Sequence, residues 1–286
     1  MTALACLVEG MPASEYHAAD GLSASTCKKM ATVTPAEVKW QRDNPKPSTD
    51  RLVLGTYTHA MLLEPETLEE SFLVVEKFPR RSADEKARWA AIQAQAEAEG
   101  KVIVWDEKDA QGLDTARRMR DAIHAHPEAR ELLSAGRGEV SMFATDPETG
   151  IKIRSREDWF PDCQNLVVDL KTARNPGEGF AKDAYNLGYH VGQHHYRLVR
   201  QQYNRAMGMD EWDTWPDYQW LVVGVEAPHL VAIYRPSDEM AEVGAIASRR
   251  GRDAYVKCIE SGEWPGLPSG IINIDPPRWA KELTHG

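Results

Sequence analysis

The chain has 286 residues, of which 42% are hydrophobic and 27% are charged, and its formal net charge is −10 at pH 7. These proportions are ordinary for a globular protein with a sizeable core, in one large domain or two small ones. No apolar run approaches the roughly 18 residues of a membrane span. The first residues have no basic start and soon reach Glu9, so we do not expect them to act as a secretory signal. The acidic total argues against a protein that coats nucleic acid indiscriminately, but it allows an enzyme that confines positive charge to a channel.

The four cysteines bear on metal sites and on the cellular compartment. Cys6, Cys27, Cys163 and Cys258 are far apart and form no C-x-x-C pair, which argues against a zinc ribbon or an iron–sulfur cluster. Isolated thiols are typical of a reducing compartment, so a cytoplasmic location without a membrane partner is predicted.

The first part of the chain, residues 1–135, is predicted to be mainly helical. Short helices within 14–46 begin at serine and threonine caps. Further helices are predicted at 50–64, at 83–100 and at 106–135. The chain has no Walker-type loop, no dinucleotide-binding glycine motif and no serine-hydrolase elbow, so neither a nucleotide motor nor a serine hydrolase is predicted.

The second part, residues 136–286, contains the predicted sheet. The predicted strands are 139–145 and 151–160, which form a hairpin, then 166–171, 219–225 and 230–234, and the predicted helices are 178–208 and 237–262. This order predicts a mixed α/β (α+β) fold, with a central mixed sheet flanked by helices and a helical N-terminal elaboration. The whole chain, 1–286, is predicted to be a single domain.

Two of these strands carry a possible metal site. In the strand 166–171, Asp169 and Lys171 share one face, because side chains alternate between the two faces of a strand. Asp158 lies near the end of the preceding strand. If the strands are adjacent, two carboxylates and a lysine meet, and such a set can hold a divalent metal and a water for phosphodiester hydrolysis. An aspartate and a lysine at this spacing alone are more often an exposed ion pair.

Four segments in order give the chain a family resemblance. The first two are LGTYTHAMLLEPETLEESF (54–72), which has a G-x-x-x-H-x-x-L-L-E-P pattern, and EVSMFATDPETGIKIRSREDW (139–159), which has E-x-S…TG…R-x-R-x-D. The other two are VVDLKTAR, which has D-x-K-T, and GYHVGQHHY, which resembles a Y-H-x-Q…Y pattern. These segments resemble the RecE-type phage and prophage exonucleases, the exonuclease VIII family of the PD-(D/E)xK nuclease superfamily. The opening YHAADGLSAS (16–25) is also similar to that family, so the resemblance covers most of the chain.

The resemblance implies a PD-(D/E)xK core with a site for Mg²⁺ or Mn²⁺. The implied metal ligands are His59, Asp158, Asp169 and the carbonyl oxygen of Leu170. Lys171 would orient or help to deprotonate the attacking water, or stabilise charge on the phosphate, and Glu139 would lie near the metal as a further catalytic residue. Imidazole suits transition metals better than Mg²⁺, so we expect Mn²⁺ to support activity at least as well as Mg²⁺.

The chain departs from the family pattern at one position of the Y-H-x-Q helix. Gly192 occupies the place expected for the glutamine, and Gln193 follows it. Tyr189, Gln193, Tyr196 and Arg200 have spacings of four, three and four, which form one helical stripe. This spacing favours Gln193 as the catalytic glutamine, and Tyr189, Tyr196 and Arg200 are then candidates for DNA binding. The alternative is that the role of the glutamine is lost.

Two arginines are further candidates for DNA binding. Arg154 and Arg156 are predicted to lie on the same strand face as Asp158. Their guanidinium groups could hold DNA phosphates by fork geometry. A salt-bridged outer face is the alternative interpretation.

The resemblance implies a metal-dependent, ATP-independent exodeoxyribonuclease that degrades the 5′-ended strand at ends of linear double-stranded DNA and leaves 3′ overhangs. It also implies a ring-shaped homo-oligomer and a RecT-like single-strand annealing recombinase as partner. Two alternatives stay open: another nuclease of this fold, such as a nicking or repair endonuclease, or an inactive relative that only binds nucleic acid or a partner protein.

Overall fold

A computed structural model describes residues 5–45, 49–106 and 112–276. The strands in these ranges are β1 (Ala5–Val8), β2 (Leu22–Ser23), β3 (Phe72–Glu76), β4 (Val102–Asp106), β5 (Gly136–Thr145), β6 (Lys152–Pro161), β7 (Leu166–Ala173), β8 (Asp217–Gly224) and β9 (Val231–Tyr234). The central sheet has the order β1-β5-β6-β7-β8-β9, with β2 beside β6, and β3 pairs with β4 separately. Since β7 and β8 are parallel and the other neighbours along that path are antiparallel, the sheet is mixed.

Helices flank this sheet, and the predicted fold class is therefore confirmed. They are α1 (Ala13–Ala18), α2 (Ala24–Thr32), α3 (Pro35–Asp43), α4 (Asp50–Leu63), α5 (Leu68–Ser71), α6 (Ala83–Glu99), α7 (Leu113–Ala125), α8 (Pro127–Leu132), α9 (Phe180–Asn186), α10 (Tyr189–Ala206) and α11 (Asp238–Ser261). No helix in the described ranges is long and apolar enough to cross a membrane.

Some predicted boundaries differ from the structure for local reasons. The predicted helix 178–208 is two helices, because Gly188 between α9 and α10 has a φ of +69°, a left-handed value that suits glycine. The strands β1 to β4 were not predicted, since two to five residues show too little alternation to identify a strand. The one or two helices predicted within 106–135 are α7 and α8, while Asp106 belongs to β4 and residues 107–111 lie outside the described residues.

Strand β7 is buried on both faces. Leu166, Val168 and Leu170 pack against α4 and α7 on one side. Val167 packs on the other side with residues of β8 and α9, where Tyr189 and Tyr196 of α10 adjoin the cluster. The alternation predicted for 166–171 is therefore present, and it directs Asp169 and Lys171 toward the side of α10.

The alternation of β6 is irregular. Ile153 and Phe160 both pack in the apolar cluster that contains α10, although residues seven apart would lie on opposite faces of a regular strand. The change occurs near Asp158. On the partner strand, Glu139 has a φ of +50°, which is uncommon for a residue other than glycine. The strand geometry thus changes where the candidate site residues lie.

Candidate active site

Three potential metal ligands converge from α4, β5 and β6. His59 Nδ1 lies 3.8 Å from Glu139 Oε1 and 3.7 Å from Asp158 Oδ2. One ligand atom from each residue lies within 4.8 Å of the other two. Their side chains remain 12 to 23% exposed, so the group is accessible from solvent. We call His59, Glu139 and Asp158 the ligand cluster.

A close approach of α4 to β5 brings His59 toward Glu139. A Cβ atom at Gly138 would lie only 2.2 Å from the carbonyl oxygen of Leu63, the last residue of α4, so a larger residue at Gly138 would push the helix away. The β5–β6 ladder has the same register on both sides of Glu139, which places Glu139 opposite Asp158. Packing of the backbone thus brings together residues from distant parts of the chain.

Arg156 holds Glu139 in place. Its Nε donates to the Glu139 carboxylate, its Nη1 donates to the carbonyl oxygen of Met11 at 2.6 Å, and its Nη2 lies 3.4 Å from Glu64 Oε2. The side chain is only 11% exposed. Since each guanidinium nitrogen is engaged within the chain, the structure favours the salt-bridged alternative for Arg156 over the predicted contact with DNA phosphate.

Asp158 lies where β6 and β7 separate. The two strands pair through Trp159 and Val168, and the backbone N–H of Leu170 then donates to Asp158 Oδ2 at 2.7 Å. The Asp158 carboxylate thus accepts a hydrogen bond of the kind that a backbone carbonyl of a neighbouring strand would accept. The Leu170 carbonyl oxygen, which was predicted as a metal ligand, accepts a hydrogen bond from Lys171 Nζ at 3.2 Å.

Asp169 is held by donors of this chain. Its Oδ1 accepts from Lys171 Nζ, and its Oδ2 accepts from the Tyr218 hydroxyl at 2.7 Å. Asp169 is buried and lies outside the ligand cluster. To bind a metal as the sequence predicts, Asp169 would have to give up its hydrogen bond with Lys171 or with Tyr218. No motif in the sequence indicates the contact between Tyr218 and Asp169.

Burial and close charges shift the pKa values of the site residues. Burial raises the pKa of Asp158 to about 7, a rise that the charge of His59 opposes and that of Asp169 reinforces. Burial lowers the pKa of Lys171, but Asp169 and Asp158 outweigh it, so the pKa is raised above its ordinary value. Lys171 is therefore an ammonium ion, which favours orientation and charge stabilisation over proton abstraction among its predicted roles.

The ligand cluster fits a divalent cation. Six-coordinate ions bind oxygen at about 2.1 Å, which puts adjacent ligand atoms about 3 Å apart. The separations of 3.7 and 3.8 Å from His59 Nδ1 are within small side-chain adjustments of that value. Two crowded carboxylates favour a cation, and an imidazole among them favours Mn²⁺ over Mg²⁺.

Gln193 is not at this site. Its side chain is fully buried, and a Cβ atom at Gly244 of α11 would lie 2.8 Å from its Nε2, so the amide faces α11. Neither amide atom has a hydrogen-bond partner among the described residues. The placement does not support the predicted catalytic role of Gln193. At Gly192, in contrast, a Cβ atom would meet no other atom within 4 Å.

Arg200 is a core residue in this structure. Its Nη1 donates to Glu157 Oε2 at 2.7 Å, and both side chains are at most 3% exposed. The guanidinium carbon lies 3.6 Å from the centroid of the Phe160 ring. The predicted contact of Arg200 with DNA is therefore not supported.

Arg154 contacts α1 rather than the ligand cluster. Its Nη2 donates to the carbonyl oxygen of His17 at 3.1 Å, and its guanidinium lies 4.8 Å from the centroid of the Tyr16 ring. It lines a cavity of about 470 Å³ among α1, α2 and α3. Any contact of Arg154 with DNA would therefore be in this cavity.

The two tyrosines of the predicted stripe remain near the site. Lys171 Nζ lies 5.3 Å from the centroid of the Tyr189 ring. Burial raises the pKa of Tyr196, and the charges of Asp158 and Asp169 raise it further. Lys28 of α2 also approaches Tyr189, with 5.7 Å between its Nζ and the ring centroid. Lys28 has no motif signal in the sequence, and only the fold brings it here.

Comparisons with known proteins relate the chain to one family and to solved structures. The model of a family described as a PDDEXK-like domain of unknown function (DUF3799) matches residues 23–274. A candidate exonuclease from Eubacterium rectale has a similar structure, with 13% identity, coverage of 98% of this chain and 100% of that chain, and a TM-score of 0.60. A phage-related exonuclease from Haemophilus somnus 129PT matches at 12% identity, over 87% of this chain and 100% of that chain, with a TM-score of 0.33. No curated protein matches the sequence.

The family match covers most of the chain, and it agrees with the Asp158, Asp169 and Lys171 arrangement found on β6 and β7. The narrower resemblance to RecE-type exonucleases has no separate support from these matches. The chain belongs to the family of PDDEXK-like domains of unknown function, and this family match supports its place in the PD-(D/E)xK nuclease superfamily.

Proposed function

We propose that this protein is a metal-dependent, ATP-independent exodeoxyribonuclease that degrades the 5′-ended strand of linear double-stranded DNA and leaves 3′ overhangs. One observation carries the nuclease part: the ligand cluster lies beside the Asp169–Lys171 pair, with Leu170 N–H bound to Asp158. Strand polarity and duplex preference are supported only by the sequence resemblance.

The residues of the chain divide the hydrolytic work. A cation held by His59, Glu139 and Asp158 would supply an activated water and polarise the phosphoryl oxygen. The ammonium group of Lys171 would stabilise the negative charge that develops on the phosphate, and Asp169 holds that group in position. Arg156 would keep Glu139 oriented through its charge-assisted hydrogen bond.

Linear duplex labelled at either the 5′ or the 3′ end, incubated with Mg²⁺ or Mn²⁺, tests activity and polarity together. We expect the label at the 5′ end to be released first as short products, and no ATP requirement. Asp169→Ala and Lys171→Ala are the inactive controls. If wild-type protein with Mn²⁺ degrades no linear duplex, the proposal fails and an inactive binding relative becomes the better description.

A covalently closed circle separates exonuclease from endonuclease. An exonuclease needs an end, so we expect no cleavage of the circle until a restriction enzyme linearises it. Cleavage of the intact circle would favour the endonuclease alternative, which uses the same site residues.

We further propose a ring-shaped homo-oligomer and an annealing recombinase of the RecT type as partner, both from the resemblance. A ring would reconcile the net charge of −10 with a polyanionic substrate, because basic residues could line its channel. Native mass spectrometry tests this part, and a monomer that degrades long duplex processively would contradict the ring.

A further inference from the structure

Lys28 is a second lysine at the active site. Its Nζ lies 5.7 Å from the centroid of the Tyr189 ring, and Lys171 Nζ lies 5.3 Å from the same centroid. The distance between the two Nζ atoms therefore cannot exceed the sum of these two distances. Lys171 comes from the sheet and Lys28 from α2, so the fold brings two cations from separate elements to one aromatic ring.

Packing fixes the position of Lys28. A Cβ atom at Gly188 would lie 2.7 Å from both Cγ and Cδ of Lys28, so the aliphatic stem of the lysine runs directly over this glycine. The preceding residue anchors α2 to α11, because a Cβ atom at Gly251 would lie 2.4 Å from the Cys27 carbonyl oxygen. Lys28 therefore differs from a mobile surface lysine in having its stem held against the protein.

Lys28 has no counter-ion among the residues that the structure describes. No carboxylate of the described residues forms an ion pair with it, whereas Asp169 binds Lys171. Burial lowers the pKa of Lys28 and the charge of Lys171 lowers it further, while Asp169 acts in the opposite direction. A partly desolvated cation beside another cation is unfavourable unless an anion binds there.

We infer that Lys28 is a substrate-binding residue whose ammonium group binds a phosphate of the nucleic acid strand held at the active site. This inference rests on the proposed nuclease function and adds a residue to it. A nucleic acid strand suits the site because it brings several phosphates in sequence, one for Lys171 and one for Lys28. The Tyr189 ring, which both lysines approach, offers an apolar surface to the sugar or base that links those phosphates.

The test compares Lys28→Met with Lys257→Met. Lys257 is an exposed lysine of α11 with no contact to the site residues among the described interactions, so its replacement removes the same charge elsewhere. Binding of a short linear duplex is measured in EDTA, which prevents cleavage, at several salt concentrations. Lys28→Met is expected to weaken binding by about tenfold and to make the plot of log affinity against log salt shallower by about 0.9.

Lys28→Arg is expected to restore both values, and Lys257→Met to leave them at the wild-type level. Thermal unfolding verifies that each variant is folded, and Lys28→Gln replaces the methionine variant if that one is not. If wild type binds and cleaves but Lys28→Met keeps its affinity and salt slope, this inference is wrong and the nuclease proposal stands. If wild type neither binds nor cleaves DNA, the proposed function fails and this inference fails with it.

Discussion

Replacement of Arg200 distinguishes a core role from the DNA-binding role that the sequence suggests. Arg200 and Glu157 form a buried ion pair, and the guanidinium lies against Phe160. Arg200→Met keeps much of the side-chain volume but leaves the Glu157 carboxylate without its partner. Removing one member of a buried pair typically costs 3–5 kcal/mol, so we expect a loss of about 4 kcal/mol in the free energy of unfolding at pH 8.

The pH dependence of this loss has a definite sign. Burial raises the pKa of Glu157 to about 7, although Arg200 opposes the rise. Without Arg200 the pKa rises further, so the folded state of the variant takes up a proton more readily than the unfolded state. A group with a raised folded-state pKa stabilises the protein most at low pH. The variant should therefore lose less stability at pH 5 than at pH 8.

Urea unfolding followed by circular dichroism at the two pH values measures the effect. Arg205→Met is the matched control, since Arg205 is on the same helix and its ion pair with Glu211 is exposed, where a pair contributes little. The core role would be refuted if Arg200→Met unfolded like wild type at pH 8 and its DNA affinity depended less steeply on salt. That result would support a contact between Arg200 and DNA.

Three further predictions concern the site and its surroundings. His59→Ala should raise the Mn²⁺ concentration for half-maximal cleavage by at least roughly tenfold, and wild-type activity with Mg²⁺ but none with Mn²⁺ would contradict a ligand role. Asp169→Ala and Lys171→Ala should each lower the cleavage rate by about a hundredfold or more while duplex binding in EDTA persists. If either variant cleaves at the wild-type rate, the role proposed for that residue is excluded. Burial lowers the pKa of His195 to about 4. The free energy of unfolding should therefore decline by up to about 3 kcal/mol as the pH falls from about 6.5 to 4. Acid unfolding of His195→Gln should show a smaller decline in this range.

The sequence predicted the centre of the site because strand periodicity is local. Alternation alone placed Asp169 and Lys171 on one face of β7, and the structure shows that arrangement with apolar residues behind it. The hairpin of β5 and β6 was also predictable, since a turn separates two alternating segments. The convergence of His59 with this hairpin depended on the family resemblance, because nothing local relates a helix to a strand so distant in sequence.

The predicted roles that the structure does not support belong to side chains whose surroundings are set by tertiary contacts. Helical spacing correctly groups Tyr189, Gln193 and Arg200 into a stripe, but one helix packs against several neighbours at once. Gln193 therefore faces α11 and Arg200 faces Glu157 of β6, while Tyr189 faces the active site. Arg156 was placed on the correct strand, yet its three partners include a backbone carbonyl that no sequence pattern could indicate.

The structure gives no support for a shift of the glutamine from position 192 to position 193. Gly192 lies three residues after Tyr189 and four before Tyr196, so it shares their side of α10. Its φ does not require glycine, no atom approaches a Cβ there, and glycine inside a helix costs about 1 kcal/mol relative to alanine. Neither packing nor backbone conformation therefore requires this glycine. A side chain at position 192 would meet open space, whereas Gln193, one place later, is fully buried and faces α11.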